Sequence, residues 1–107
     1  MYSPPTLNER RAFRAEYHHL VSFLTYFLDL YDEVKPLQEI IDSCLASSEF
    51  DYELKQITVR EGRAFMRQNT LPWTLISKTS NRVFETKEET YAWLTDALNQ
   101  IEATLRS

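Results

Sequence analysis

Few side chains in this sequence are of a type and spacing that could do chemistry. The only two histidines, His18 and His19, are adjacent. On a helix, neighbours in sequence point about 100° apart, so the pair cannot grip one metal ion together. Glu16 stands three residues before His19 and offers one weak pair. The favoured role for these histidines is at the boundary of an aromatic helix face. Asp29, Asp32 and Glu33 form a carboxylate cluster of the kind a divalent cation takes. A simpler use exists, because acids placed just before a helix complement its N-terminus. Cys44 is the lone cysteine, which excludes an internal disulfide and a paired-cysteine redox or metal site. It falls on the apolar side of its segment, as a small core residue does. Both histidines share one segment and no serine is singled out, so no nucleophilic triad can be drawn.

Glycine adds an exclusion. Gly62 is the only one in 107 residues, where average usage of about 7% would give roughly seven. Phosphate cradles need glycines so that backbone can approach the ligand. A P-loop, a dinucleotide-binding fingerprint and a nucleophile elbow are all absent. The expectation is a chain with no catalytic residue, no cofactor and no metal site.

Charge is the feature that remains. The chain has a formal net charge of −4, yet residues 57–67, ITVREGRAFMR, hold Arg60, Arg63 and Arg67 against the single acid Glu61. Lys78 and Arg82 follow, and residues 55–87 carry a net +5 between flanks of −6 and −3. On a helix the three arginines fall within about 60° of arc. Arg60, Arg63, Arg67, Lys78 and Arg82 are therefore the candidate surface for a partner or an anion.

These residues need elements to position them. Asn8 is a candidate N-cap for a long first helix reaching to about Asp32. Its face carries Phe13, Tyr17, Leu20, Leu24, Phe27, Leu28 and Tyr31 at three-and-four spacing. Phe23, Tyr26 and Leu30 lie beside that stripe and form a candidate apolar partner surface. Pro36 ends the segment and suits the first turn of a second helix with Leu37, Ile40, Ile41, Cys44 and Leu45 on one side. The short connection predicts an antiparallel αα-hairpin. Residues 57–69 read either as a strand pair or, preferably, as a helix with Thr58 and Glu61 as a capping box. WTLISK and RVFE, around a turn at Thr79-Ser80-Asn81, read as a β-hairpin. Thr86 and Glu89 then cap a long last helix with Tyr91, Leu94, Leu98, Ile101 and Leu105 in one stripe.

The fold expected is thus α+β and mostly helical, in one domain over residues 1–107: an N-terminal αα-hairpin, a short third helix or strand pair, a β-hairpin and a long C-terminal helix. The core should draw on Phe13, Leu20, Leu24, Phe27, Ile40, Ile41, Leu45, Leu94, Leu98 and Ile101. No run reaches the ~18 apolar residues that span a bilayer. The N-terminus lacks the basic-then-apolar order of a signal peptide, so a cytoplasmic location is the default. The preferred function is non-enzymatic protein–protein binding, as an adaptor, inhibitor or immunity-type protein, with a protein partner or self-association and no membrane. The competing function is nucleic-acid binding, since helices followed by a basic helix and a hairpin resemble the order of elements in a winged-helix domain.

Overall fold

The computed structural model describes residues 4–25, 37–80 and 83–106, the side chains of Leu37 and Ile40 apart. Through them run α1 (Leu7–Glu16), α2 (His18–Thr25), α3 (Leu37–Ala46), α4 (Tyr52–Arg67), α5 (Thr74–Ser80) and α6 (Lys87–Leu105), and no strand occurs among the described residues. The α+β expectation is thereby overturned, and with it the β-hairpin.

The error lies at WTLISK. Its β-branched, alternating pattern fits a strand, but a short apolar run does not separate strand from buried helix. Here Leu75 and Ile76 are both fully buried, with Thr74, Ser77 and Ser80 beside them. A strand would send adjacent side chains to opposite faces. The short helix α5 instead lies among α1, α2 and α6 and buries most of its circumference. Ser80 donates its hydroxyl to the Ile76 carbonyl at 2.8 Å, so the buried polar group is satisfied inside the helix. Of the expected second strand, Arg82 lies outside the described residues, Val83 is exposed, and Phe84 is buried against the Trp93 ring.

α4 occupies the middle, with α6 along one flank and α2 along the other. It begins where Asp51 accepts the Leu54 N–H, seven residues before the expected Thr58 cap. Thr58 is itself buried within the helix. Thr58, Val59, Gly62 and Phe65 form its inner face. A Cβ on Gly62 would stand 2.7 and 2.8 Å from the two methyls of Leu98 and 3.3 Å from its Cγ. The only glycine therefore marks a close approach of α4 and α6. Phe65, three residues on, sets its ring tilted or edge-on to Phe13 (5.0 Å), Tyr17 (5.4 Å) and Tyr91 (6.3 Å), tying α1 to α4 and α6.

The helix ends are polar and mostly local. Thr6, not Asn8, caps α1, in a capping box with Glu9. Thr86 accepts the Glu89 N–H to open α6. α4 ends without a glycine because Gln68 organises the turn after it. Its amide donates to the Phe65 and Leu71 carbonyls and its oxygen accepts from the Thr70 and Leu71 N–H groups.

The expected first long helix is interrupted at Tyr17, which leaves helical geometry (φ −126°, ψ 44°). Phe27, Leu28 and Tyr31 lie outside the described residues, as does the connection of the αα-hairpin. What is described of α3 packs on α6, where Gln38 and Gln100 exchange side-chain hydrogen bonds. Of the expected core, Phe13, Leu20, Leu24, Ile41, Leu94, Leu98 and Ile101 are buried and Leu45 is half-buried. Phe65, Leu75, Ile76 and Phe50 join them.

The close packing at Gly62 makes a measurable claim. Gly62→Ala gains about 1 kcal/mol of helix propensity but overpacks a filled core, at about 1–3 kcal/mol. Urea denaturation should show net destabilisation. Leu98→Ala alone should cost about 2–5 kcal/mol, and the double variant should lose less than the two together. A stabilised Gly62→Ala would show that the contact relaxes freely.

Candidate partner-binding surfaces

The residues of ITVREGRAFMR divide among separate tasks. Glu61 is half-buried and turns towards α2. Tyr17 precedes α2 and its carbonyl accepts the Val21 N–H at 2.9 Å, as an N-cap residue's would. Tyrosine has no side-chain acceptor suited to capping the helix it precedes. Glu61 Oε1 supplies one from 42 positions away, accepting the His19 N–H at 2.9 Å and the Leu20 N–H at 3.0 Å. These are the second and third residues of α2, the ones a local cap would serve. Glu61 Oε2 lies 3.0 Å from His19 Nδ1. A carboxylate only accepts, so the imidazole carries its hydrogen on Nδ1 to complete the contact.

The arginines do not act as one cluster. Arg63 reaches α6, donating to Asn99 at 3.1 Å and Glu102 at 3.4 Å, and Arg106 also reaches that carboxylate. Arg60 and Arg67 are exposed and pair with no carboxylate among the described residues. Lys78 is exposed on α5, and Arg82 lies outside the described residues. Arg60 and Arg67 share an arc of about 80° on the outer side of α4 with Gln56 and Tyr52. Tyr52 is 61% exposed.

A second basic surface was not foreseen. Arg10 and Arg14 of α1 and Lys78 of α5 surround a cleft of about 260 Å³, over a floor of Phe13 and Val21. The acidic balance of the first half of the chain hides this pair. The legible signal was ERRAFR, which sets two arginines four apart on one helix face.

Of the expected apolar surface, Phe23 is buried and stacks on Phe50 at 5.9 Å, inside the domain. Tyr26 and Leu30 lie outside the described residues, as do Asp29, Asp32 and Glu33. His18 is exposed and its ring packs edge-on to His19. The two line a second cleft, of about 270 Å³, with Phe23, Glu49 and Phe50. Among the described residues no three His, Cys, Asp or Glu side chains converge as metal ligands. No helix among them is long and apolar enough to cross a membrane.

Cys44 is buried in the core, and burial pushes its thiol up to about 12, against a small opposing pull from Lys55. Burial likewise raises Tyr17, reinforced by Glu16 and Glu61, and raises Tyr91.

Two measurements test this account. Glu61→Ala should cost about 1–3 kcal/mol by leaving two α2 amides without an acceptor. Glu61→Gln keeps one acceptor oxygen and should cost less; equal losses would mean that charge, not capping, matters. The raised hydroxyl and thiol groups hold their protons more tightly folded than unfolded. Stability from them is complete below the ordinary thiol value of 9.0 and falls as pH rises towards about 12. The urea midpoint should drop over that range, less steeply in Cys44→Ala, and a flat profile would contradict the burial.

Comparison with known proteins brings no relative: no family model matches the chain, and no match is found among curated proteins or solved structures.

Proposed function

We propose that this chain is a non-enzymatic binding module that engages an acidic protein partner through the outer side of α4. The observation that carries this reading is the stripe of Tyr52, Gln56, Arg60 and Arg67, all exposed, with both arginines lacking a carboxylate partner among the described residues. Tyrosine and arginine are the residue types that contribute most at protein interfaces. Arg63 falls within the same arc but already serves Glu102, so Arg60 and Arg67 are the two guanidiniums available to an outside carboxylate.

Nucleic acid is the weaker fit. The winged-helix layout needed a hairpin after the basic helix, and α5 stands there instead. A net charge of −4 also repels a polyanion at long range. That repulsion grows with ligand charge, so a protein with a local acidic patch is opposed less than a phosphate backbone.

The test is capture from a lysate of the source cells, with and without nuclease, by immobilised wild type and by Arg60→Glu/Arg67→Glu. An acidic protein should be retained by the wild type, released as salt shortens the Debye length below its ~10 Å at 0.1 M, and depleted about tenfold on the variant. Retention of nucleic acid alone, or of the same protein equally by both, would remove the reading.

A further inference from the structure

We infer that the cleft among α1, α2 and α5 is a docking site for an acidic peptide segment that inserts one apolar side chain between flanking carboxylates. Arg10, Arg14 and Lys78 rim it, and Phe13 and Val21 floor it. All three cations are exposed and pair with no carboxylate among the described residues.

Helix electrostatics alone accounts for part of this arrangement. Arg14 and Lys78 each sit in the last turn of a helix, where the dipole favours a cation. Arg10 gains nothing of that kind. It stands four residues before Arg14, where like charges repel on the same face. Lys78, from another helix, adds a third positive charge to the same opening. An anionic occupant converts this repulsion into attraction.

The chemistry of the cleft distinguishes among anions. A compact phosphate is held by free backbone N–H groups at a helix N-terminus or a glycine-rich turn. The lining of this cleft holds no glycine and no residue from the first three positions of a helix; the Arg10 and Val21 N–H groups already donate to the Thr6 and Tyr17 carbonyls, and the Thr25 hydroxyl to the Ser22 carbonyl. Carboxylates spaced along a peptide need no such amides and meet the long arginine side chains at the rim. The apolar floor has no use for a phosphate, but it fits a side chain. The volume of about 260 Å³ is below the ~300–1,000 Å³ usual for small-molecule pockets, and suits a single anchoring residue.

This inference rests on the reading of the chain as a protein-binding module, but on a face separate from the α4 stripe, so the two can fail independently. The probe is a short fluorescein-labelled peptide with glutamates on either side of one phenylalanine, followed by anisotropy. Wild type should bind it saturably. Arg10→Glu/Arg14→Glu should weaken binding about tenfold or more, whereas Arg60→Glu/Arg67→Glu should leave it within about twofold. Thr79→Trp fills the cleft at unchanged charge and should also weaken binding, as should alanine in place of the peptide's phenylalanine. If the double α1 variant melts early by circular dichroism, Lys78→Gln and Thr79→Trp decide the matter. The inference is overturned by no saturable binding, by equal loss in both double variants, or by indifference to Thr79→Trp. Displacement by inorganic tripolyphosphate more readily than by unlabelled peptide would overturn it as well. So would concentration-dependent self-association that Thr79→Trp abolishes, because the occupant would then be a second copy of this chain.

Discussion

Two consecutive residues of α4 set the arrangement of the helices around it. Glu61 holds the first amides of α2 from one side, and Gly62 lets Leu98 of α6 come against the α4 backbone. A carboxylate with two amide donors fixes both the position and the direction of the helix it caps. A missing side chain fixes only distance. Together they place α2 and α6 on the two flanks of one helix. They also explain how the chain can leave helical geometry at Tyr17 without proline or glycine. The amides freed by the break have an acceptor waiting on α4, and the Tyr17 ring packs between Phe13 and Phe65.

The same arrangement sorts the positive charge. Once Gly62 faces α6 and Glu61 faces α2, helical geometry settles where the other polar residues of α4 go. Arg63 falls on the α6 flank, where Asn99 and Glu102 receive it. Arg60 and Arg67 fall opposite the core. A segment that looks uniformly basic is therefore one structural arginine and two without a carboxylate partner among the described residues. Partly exposed pairs such as Arg63–Glu102 contribute at most about 1 kcal/mol, so that pair orients more than it stabilises. The proposed binding role therefore falls to the residues the packing leaves over.

Much of the helical layout was legible in sequence and the tertiary assignments were not. Periodicity located Phe13, Leu20 and Leu24, and the stripe of Leu94, Leu98 and Ile101, because a helix with one buried face repeats that face. It failed at α5, where Leu75 and Ile76 are both fully buried and no period remains to be read. Local capping rules found Thr86, whose partner is three residues away. They misassigned Glu61, whose donors lie 41 and 42 positions away in the chain. They also chose Asn8 over Thr6, though both are capping residue types and only Thr6 has Glu9 in the box position. The α1 arginines were passed over because a net charge summed over half of the chain conceals an i,i+4 pair.

The polar groups with the most defined geometry are engaged in shaping the helices. Glu61 and His19 meet at the start of α2, Gln68 directs the turn after α4, and Asp51, Thr6 and Thr86 open helices. The only cysteine is buried with its thiol pushed up to about 12, far from the thiolate that nucleophilic chemistry requires. The strongest uncommitted features among the described residues are long, flexible cations and one exposed tyrosine. Guanidiniums on such side chains can follow a partner's carboxylates but hold no fixed geometry around a reacting atom. That difference in preorganisation is the physical argument behind the proposal that these surfaces serve recognition.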